Sequence, residues 1–242
     1  LMNLESVILD EIHGVLDSRR GTYLIAAVDR LVLLSGEFQR IALSATIKPM
    51  ETVAKFVGGY QQRTDKYISR EVVQVSSGIQ KEYQLTVFFP DILDREEESD
   101  DSVWDPLVEE FKGIIDRNHS TLFFVNNRRL CEKLALKINR NSPVPLAYAH
   151  HGSLSREIRE EVEGKLKAGE LRAIIATNSL EMGIDIGSLD EVVLVQSPPA
   201  VSSAIQRIGR AGHQVGEKSK GVLFPTHSQD FLEAAVLAKH IQ

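Results

Sequence analysis

Acidic residues directly follow a short apolar segment near the start of this 242-residue sequence. The segment Val7 to Leu9 leads straight into Asp10, Glu11 and His13. A short apolar run predicts a buried strand, and ligands of open parallel sheets lie beyond such strand ends. An aspartate there can hold Mg²⁺ on a nucleotide, and the adjacent glutamate can orient or deprotonate an attacking water. An exposed turn would explain this cluster equally well.

Hydroxyl side chains follow the next predicted strand, which covers Arg40 to Leu43. Ser44 and Thr46 flank an alanine at the end of that strand. Small hydroxyl groups at this place can relay hydrogen bonds between a phosphate site and a neighbouring domain. Serine and threonine at a strand end are more often cap or turn residues, so this cluster carries little weight by itself.

The third cluster is the string Gln206-Arg207-Ile208-Gly209-Arg210-Ala211-Gly212-His213. Arg210 comes one helical turn after Gln206, which predicts that both side chains lie on roughly the same helix face. A guanidinium group can neutralise charge that develops on a transferred phosphoryl group, and glycines allow another backbone to approach closely. One arginine is commonly part of a surface salt bridge, but a string of eight such residues is far more specific.

Alternating strands and helices would position these clusters. In the first part, a helix over residues 23–34 separates the two strands, and Pro49 lies in the first turn of another helix. Further strands are predicted at 83–89, 121–125, 146–149, 173–176, 191–195 and 221–224, and further helices at 106–116, 128–139, 155–167, 202–208 and 229–239. This order predicts an α/β fold with parallel sheets and helices on both faces.

The composition excludes several classes of protein. A single cysteine, Cys131, excludes disulfides within the chain and argues against a cysteine-based zinc site. No apolar run approaches the roughly 20 residues of a membrane span, and a reducing, cytoplasmic location is expected. The net charge is −6, but five carboxylates fall between Glu96 and Asp101, so the remainder is nearly neutral. We interpret that run as a solvated loop rather than an acidic partner-binding segment.

Taken in order, the clusters resemble the motifs of superfamily 2 helicases of the DExH type. Residues 10–13 resemble motif II, 44–46 motif III, 122–126 motif IV, 177–185 motif V and 206–213 motif VI. The string 206–213 and the stretch 149–155 are similar to the large helicase-related family. The resemblance implies two RecA-like lobes that clamp ATP. Residues 1–76 would be the C-terminal part of the first lobe and residues 79–242 the complete second lobe, joined near Ser76 to Gly78.

The resemblance implies roles for the residues of the first lobe. Asp10 would hold Mg²⁺ at the nucleotide, and Glu11 would be the catalytic carboxylate. His13 would contact the glutamine of motif VI across the cleft. Ser44 and Thr46 would couple ATP hydrolysis to movement along a nucleic-acid strand.

The resemblance also implies roles in the second lobe. Arg210 would be the arginine finger and Arg207 a second phosphate contact. Thr177 would touch the backbone of single-stranded DNA or RNA. The remaining residues implied to lie at or near the nucleotide are Gln206, Gly183 and Asp185.

Two departures from the family pattern limit what the resemblance implies. Many relatives have arginine where His213 stands, and histidine is only partly charged at neutral pH. The sequence also contains no Gly-x-x-x-x-Gly-Lys-Ser/Thr string, the loop that holds ATP phosphates in this family. We therefore expect a fragment of a longer helicase that is inactive by itself. A non-catalytic nucleic-acid or partner-binding module is the alternative, whereas a signalling GTPase has no use for motif VI.

Two weaker candidates remain. His150 and His151 could suggest a metal, but no third ligand has suitable spacing. Arg128, Arg129, Lys133 and Lys137 form a basic helix face that would meet phosphates or solvent equally well. The sequence leaves open the choice of DNA or RNA, the direction of movement and the oligomeric state.

Overall fold

The computed structural model of the chain describes residues 3–16, 18–44, 49–76, 82–89, 104–181, 189–212 and 218–241. It divides into two compact units, Leu1–Ile79 and Gln80–Gln242. Ser77 and Gly78 of the predicted joint and the acidic run at 96–101 lie outside the described residues. The assignment of residues 1–76 and 79–242 to two RecA-like lobes stays a prediction.

The first unit is built around two parallel strands. Its elements are β1 (Ser6–Leu9), a 3-10 helix (Ile12–Gly14), α1 (Arg19–Ser35), β2 (Gln39–Ala42), α2 (Met50–Gly58), β3 (Tyr60–Arg63) and β4 (Lys66–Ser69). Strands β1 and β2 pair with Leu9 opposite Ala42, whereas β3 and β4 form an antiparallel hairpin. The described core of this unit is small, and its buried members are Leu9, Ile12, Ile25, Val28 and Val57.

The second unit contains a six-stranded, entirely parallel sheet. Its strands are β5 (Tyr83–Val87), β6 (Thr121–Val125), β7 (Ala147–His150), β8 (Ala173–Ala176), β9 (Glu191–Val195) and β10 (Ser219–Phe224), in the order β5-β10-β9-β6-β8-β7. Its helices are α3 (Trp104–Arg117), α4 (Arg128–Asn139), α5 (Arg156–Lys167), α6 (Val201–Ile208) and α7 (Ser228–Ile241).

Both faces of this sheet are covered, which explains why the central strands β6 and β9 each carry four consecutive apolar residues. Leu122 and Phe124 of β6 pack on one side with α5, α6 and α7, and Phe123 and Val125 pack on the other with α3 and α4. The predicted α/β fold with helices on both faces is therefore confirmed. Because the strands are parallel, their C-terminal ends share one edge of the sheet, where ligands of such sheets bind.

Candidate functional site

In the first unit, the acidic cluster lies in a sharp turn at the end of β1. Glu11 adopts a left-handed backbone conformation with φ 50°, which is unusual for a residue with a side chain. Its N–H donates to Oδ1 of Asp10 at 2.9 Å, and the buried Ile12 anchors the turn by donating its N–H to the Leu43 carbonyl at 3.1 Å. Asp10 is consequently exposed at the strand end, and Glu11 is half-buried beside it.

His13 joins the first two clusters. Its Nδ1 lies 3.0 Å from Oγ of Ser44 and 3.3 Å from Oε2 of Glu11. The parallel pairing of β1 and β2 makes this contact possible because it brings both strand ends to the same edge. The structure thus places Glu11, His13 and Ser44 together, while Thr46 lies outside the described residues.

The carboxylates suit a magnesium ion that is shared with a phosphate. No group of three or more His, Cys, Asp and Glu side chains among the described residues could hold a metal ion by itself. Mg²⁺ characteristically takes one or two protein carboxylates and completes its shell with water and substrate phosphates. The exposed carboxylate of Asp10 fits this kind of partial site.

In the second unit, Arg210 follows the end of α6. Gln206 lies within the helix, but the helix ends at Ile208 and Arg210 lies in the turn that follows it, so the prediction that both side chains share a helix face stays a prediction. This turn is tight: the N–H of Arg210 bonds to the Arg207 carbonyl, three residues back, at 3.1 Å. The Arg210 guanidinium donates to the main-chain carbonyl of Glu181 at 2.7 Å.

Arg207 is held inside the unit. Its side chain is 4% exposed and packs 5.2 Å above the centre of the Phe124 ring. Its Nε and a terminal nitrogen each lie 3.4 Å from Oε2 of Glu181, and its other terminal nitrogen lies 3.3 Å from Oδ1 of Asn126. Burial lowers the pKa of Arg207, and the Glu181 carboxylate opposes that shift. Its implied role as a phosphate contact stays a prediction.

Glu181 is the site residue that sequence reasoning missed. Its side chain is 12% exposed and accepts hydrogen bonds from Ser203 Oγ and from Arg207. One indication was present in the sequence, because Glu181 stands between Leu180 and Met182 in an otherwise apolar stretch. A carboxylate in such a stretch predicts burial, and a buried carboxylate requires a cationic or hydrogen-bonding partner.

The other residues of motif V are described only in part. Thr177 is half-buried at the end of β8, and its N–H donates to the His150 carbonyl at 3.3 Å. Gly183, Asp185 and His213 lie outside the described residues. Their implied positions near the nucleotide stay predictions.

Part of the predicted basic face of α4 packs against α3. The ammonium of Lys133 lies 5.2 Å from the centre of the Trp104 ring, and Lys137 pairs with Asp105 at 3.0 Å. Arg128 is exposed at the start of the helix and donates to Ser153 Oγ at 3.1 Å. The sequence left phosphates and solvent equally open for this face, and two of its four cations instead contact side chains of α3.

The two adjacent histidines are paired with carboxylates. His150 Nε2 lies 3.0 Å from Oε1 of Glu163, and His151 Nε2 lies 2.7 Å from Oε1 of Glu132. Burial lowers the pKa of His150. Neither histidine belongs to a three-ligand group among the described residues, so the structure adds nothing to the idea of a metal there. No helix of the described chain is long and apolar enough to cross a membrane.

Comparisons with known proteins place the chain among helicases. Residues 105–214 match the helicase conserved C-terminal domain. The chain is 37% identical over 276 residues to the Lhr helicase/probable uracil glycosylase of Mycolicibacterium smegmatis, covering 100% of this chain and 18% of that protein. It is 41% identical over 240 residues to the ATP-dependent helicase Lhr-Core protein 2 of Thermococcus barophilus, covering 98% of this chain and 27% of that protein. The chain thus spans less than a third of either relative.

A solved structure shows the same fold. Mycobacterium smegmatis helicase Lhr bound to ssDNA and AMP-PNP superposes with a TM-score of 0.85 at 40% identity, covering 98% of this chain and 31% of that one. The six-stranded parallel sheet described above is accordingly that of a RecA-like helicase C-terminal lobe. Sequence, domain match and fold agree, and the chain belongs to the Lhr family of helicases.

Proposed function

We propose that this chain is part of an ATP-dependent helicase or translocase that couples ATP hydrolysis to movement along DNA or RNA. The activity is proposed for a longer protein, because the chain spans only 18% and 27% of the two relatives compared above. The observation that carries the proposal is Arg210, whose guanidinium is fixed next to motif V by the Glu181 carbonyl. A guanidinium fixed beside a phosphate site can neutralise the charge that develops during phosphoryl transfer.

The first unit supplies the groups that act on the attacking water. Glu11 is half-buried with its carboxylate near His13, an environment that holds it in one place for orienting or deprotonating water. Asp10 would hold the magnesium ion that accompanies ATP. When bound, that ion neutralises negative charge on the phosphates. Ser44, hydrogen-bonded to His13, and Thr46 would couple these residues to a bound strand.

The second unit supplies the groups that act on the transferred phosphate and on nucleic acid. Gly183 and Asp185 would lie near the nucleotide with Gln206, and Thr177 would contact the nucleic-acid backbone. A translocase must tolerate every sequence, so backbone contacts suit it better than contacts with bases. The nearly neutral surface outside the acidic run predicts weak binding by this chain, with an affinity that falls as salt rises. A cytoplasmic location fits such an activity.

The experiment that tests this function is Arg210→Ala in the full-length protein, assayed by nucleic-acid-stimulated phosphate release. We expect turnover to fall about 10³-fold, the low end of what arginine fingers contribute elsewhere. ATP binding should stay nearly unchanged, because phosphate-loop residues outside this sequence would do most of the binding. Arg210→Lys should restore little turnover, since an ammonium lacks the planar fork of a guanidinium.

Arg140→Ala is the matched control, because Arg140 is an exposed arginine at the end of α4 in the same unit. It should leave turnover unchanged. An Arg210→Ala protein with normal turnover would overturn the finger assignment. The second candidate, a non-catalytic binding module, is favoured by the absence of a phosphate-loop string from these 242 residues. It would prevail if the full-length protein bound nucleic acid without releasing phosphate.

A further inference from the structure

Glu181 occupies a fixed position at the C-terminal edge of the second unit's sheet. It follows β8 through Thr177 and a 3-10 helix, Asn178–Leu180, and the side chain of Leu180 is fully buried in the core. The N–H of Glu181 also donates to the Asn178 carbonyl at 3.1 Å. Glu181 is therefore held just beyond the end of β8 by the buried Leu180 and by its own main-chain hydrogen bond.

Three contacts connect Glu181 with α6 and the turn that follows. Its carboxylate accepts hydrogen bonds from Ser203 and Arg207, which lie four residues apart and so on one face of that helix. Its main-chain carbonyl accepts from the Arg210 guanidinium at 2.7 Å. One residue of motif V thus contacts both arginines of motif VI, the first through its side chain and the second through its backbone.

The side-chain contacts are costly to break. The Glu181 carboxylate is 12% exposed and the Arg207 side chain 4% exposed, so each charge depends on the other for compensation. Separating a buried ion pair leaves an uncompensated charge, which is far less favourable than the intact pair. Asn126, at the end of β6, contacts the opposite end of the Arg207 guanidinium at 3.3 Å. These contacts fix helix α6 against the ends of β6 and β8, both in its rotation about the helix axis and in its position along that axis.

We infer that Glu181 is a positioning residue that sets the location of Arg210. Its carboxylate fixes α6 through Ser203 and Arg207, and its carbonyl fixes the guanidinium that follows the helix. Arg207 is a positioning residue as well, because its guanidinium is the cation through which the Glu181 carboxylate holds α6 in place. The inference rests on the proposed function, because it assigns a catalytic purpose to the position of Arg210.

The test uses Glu181→Gln in the full-length protein, because glutamine keeps the shape of the side chain and removes its charge. We expect kcat for ATP to fall between about 10-fold and 10²-fold, the effect of misplacing a catalytic group by about 1 Å. KM for ATP should change little, because the Glu181 carboxylate is already engaged by Ser203 and Arg207 inside the unit. Ser203→Ala removes one contact and leaves the ion pair, so a smaller fall in kcat is expected.

The matched control is Glu191→Gln. The Glu191 side chain is similarly buried, at 13% exposed, and like Glu181 it has one arginine and one uncharged polar side chain as partners, here Arg117 and Asn118. It lies at the start of β9, however, on the opposite edge of the sheet. Glu191→Gln should leave kcat unchanged, and thermal unfolding of both variants should confirm that each one is folded.

Combining variants separates the inference from the proposed function. In an Arg210→Ala background, Glu181→Gln should produce no further fall in kcat, because the group that it positions is gone. Independent, multiplicative losses would overturn the inference and leave the finger assignment intact. Normal turnover of the Arg210→Ala protein would instead overturn the proposed function. If Arg207→Lys raised KM for ATP and left kcat unchanged, Arg207 would be a direct phosphate contact and its positioning role would be refuted.

Discussion

Two arginines in one short string have different environments. Arg207 is buried between a carboxylate, an amide and an aromatic ring, whereas Arg210 is half-buried and donates to a main-chain carbonyl. Moving Arg207 away would leave the buried carboxylate of Glu181 without its compensating charge. Arg210, by contrast, can exchange a neutral carbonyl for a phosphate, which is a stronger hydrogen-bond acceptor for a charged donor. Identical side chains are therefore suited to different tasks, Arg207 to holding a helix and Arg210 to reaching a ligand.

His150 gives a prediction about pH. Burial lowers its pKa, while the hydrogen bond and charge of Glu163 raise it, and Arg159 and His151 add to the lowering. We expect His150 to titrate below the ordinary histidine value of about 6.5. Neutral His150 then stabilises the fold above that pH, and this contribution is lost as the pH falls through the lowered pKa.

Nuclear magnetic resonance titration of the His150 ring protons checks this expectation. Glu163→Gln should lower the pKa of His150 further, because it removes the group that opposes the effect of burial. Glu160→Gln, which alters the exposed Arg156 pair on the same helix, is the control and should leave the titration unchanged. A His150 that titrates above the ordinary value would contradict the assignment of burial as the dominant cause.

At the scale of elements, strands buried on both faces were the easiest to predict. The bounds of β6, β8 and β9 match the prediction to the residue, because each strand contains a continuous apolar run of four residues. The hairpin of β3 and β4 was missed. Its residues are mostly exposed, including Tyr60 and Tyr67, so burial leaves no periodic pattern in the sequence. Helix α1 begins before the predicted Tyr23, since Ser18 caps it by accepting from the Gly21 N–H.

The candidate site was predictable to the extent that it depends on strand ends. Asp10 and Ser44 could be placed at one edge because β1 and β2 are parallel. The contacts of Glu181 could not be predicted, since they require β6 to lie beside β8 and α6 to pack on the matching face. Sheet order is a property of the whole unit, and it leaves no trace in the local pattern of any one strand.

Asp230 holds three elements together and gives a prediction of stability. This 2% exposed residue in the first turn of α7 accepts the N–H of Ser197, after β9, at 2.7 Å and the N–H of Thr226, after β10, at 2.8 Å. Asp230→Ala removes the acceptor of both N–H groups, one of them buried and the other half-buried, so we expect the free energy of unfolding to fall by about 2–5 kcal/mol. Chemical denaturation measures this change.

Asp105→Ala is the matched control, because Asp105 is also in the first turn of a helix but is 63% exposed and pairs with Lys137 at the surface. An exposed ion pair of this kind contributes less than about 1 kcal/mol to the free energy of unfolding, so Asp105→Ala should have a small effect. Equal effects of the two substitutions would show that Asp230 contributes only as a helix-terminal charge and that its bonds to the strand ends add nothing.

At the scale of the whole molecule, the two units differ in how completely they bury apolar surface. The second unit has apolar clusters on both faces of its sheet, each with many fully buried members. The described residues of the first unit include five buried core members, and this unit leaves Ile8 63% exposed on β1 and Leu33 83% exposed on α1. Burial of apolar surface is the dominant stabilising term in folding, so the two units should differ strongly in stability.

We expect residues 80–242 expressed alone to unfold cooperatively in urea, and residues 1–79 expressed alone to show no cooperative transition. The fragment 80–242 keeps a six-stranded sheet packed on both sides. The fragment 1–79 keeps a two-stranded parallel sheet and a two-stranded hairpin, and sheets of two strands are only marginally stable in water. Far-ultraviolet circular dichroism against urea concentration gives both curves. Phe124→Ala in the larger fragment, at a fully buried position, should lower its unfolding free energy by about 3–5 kcal/mol and so show that the transition reports this core. A cooperative transition in residues 1–79 would mean that the small core described for the first unit suffices, and the ranking of the two units by buried apolar surface would be wrong.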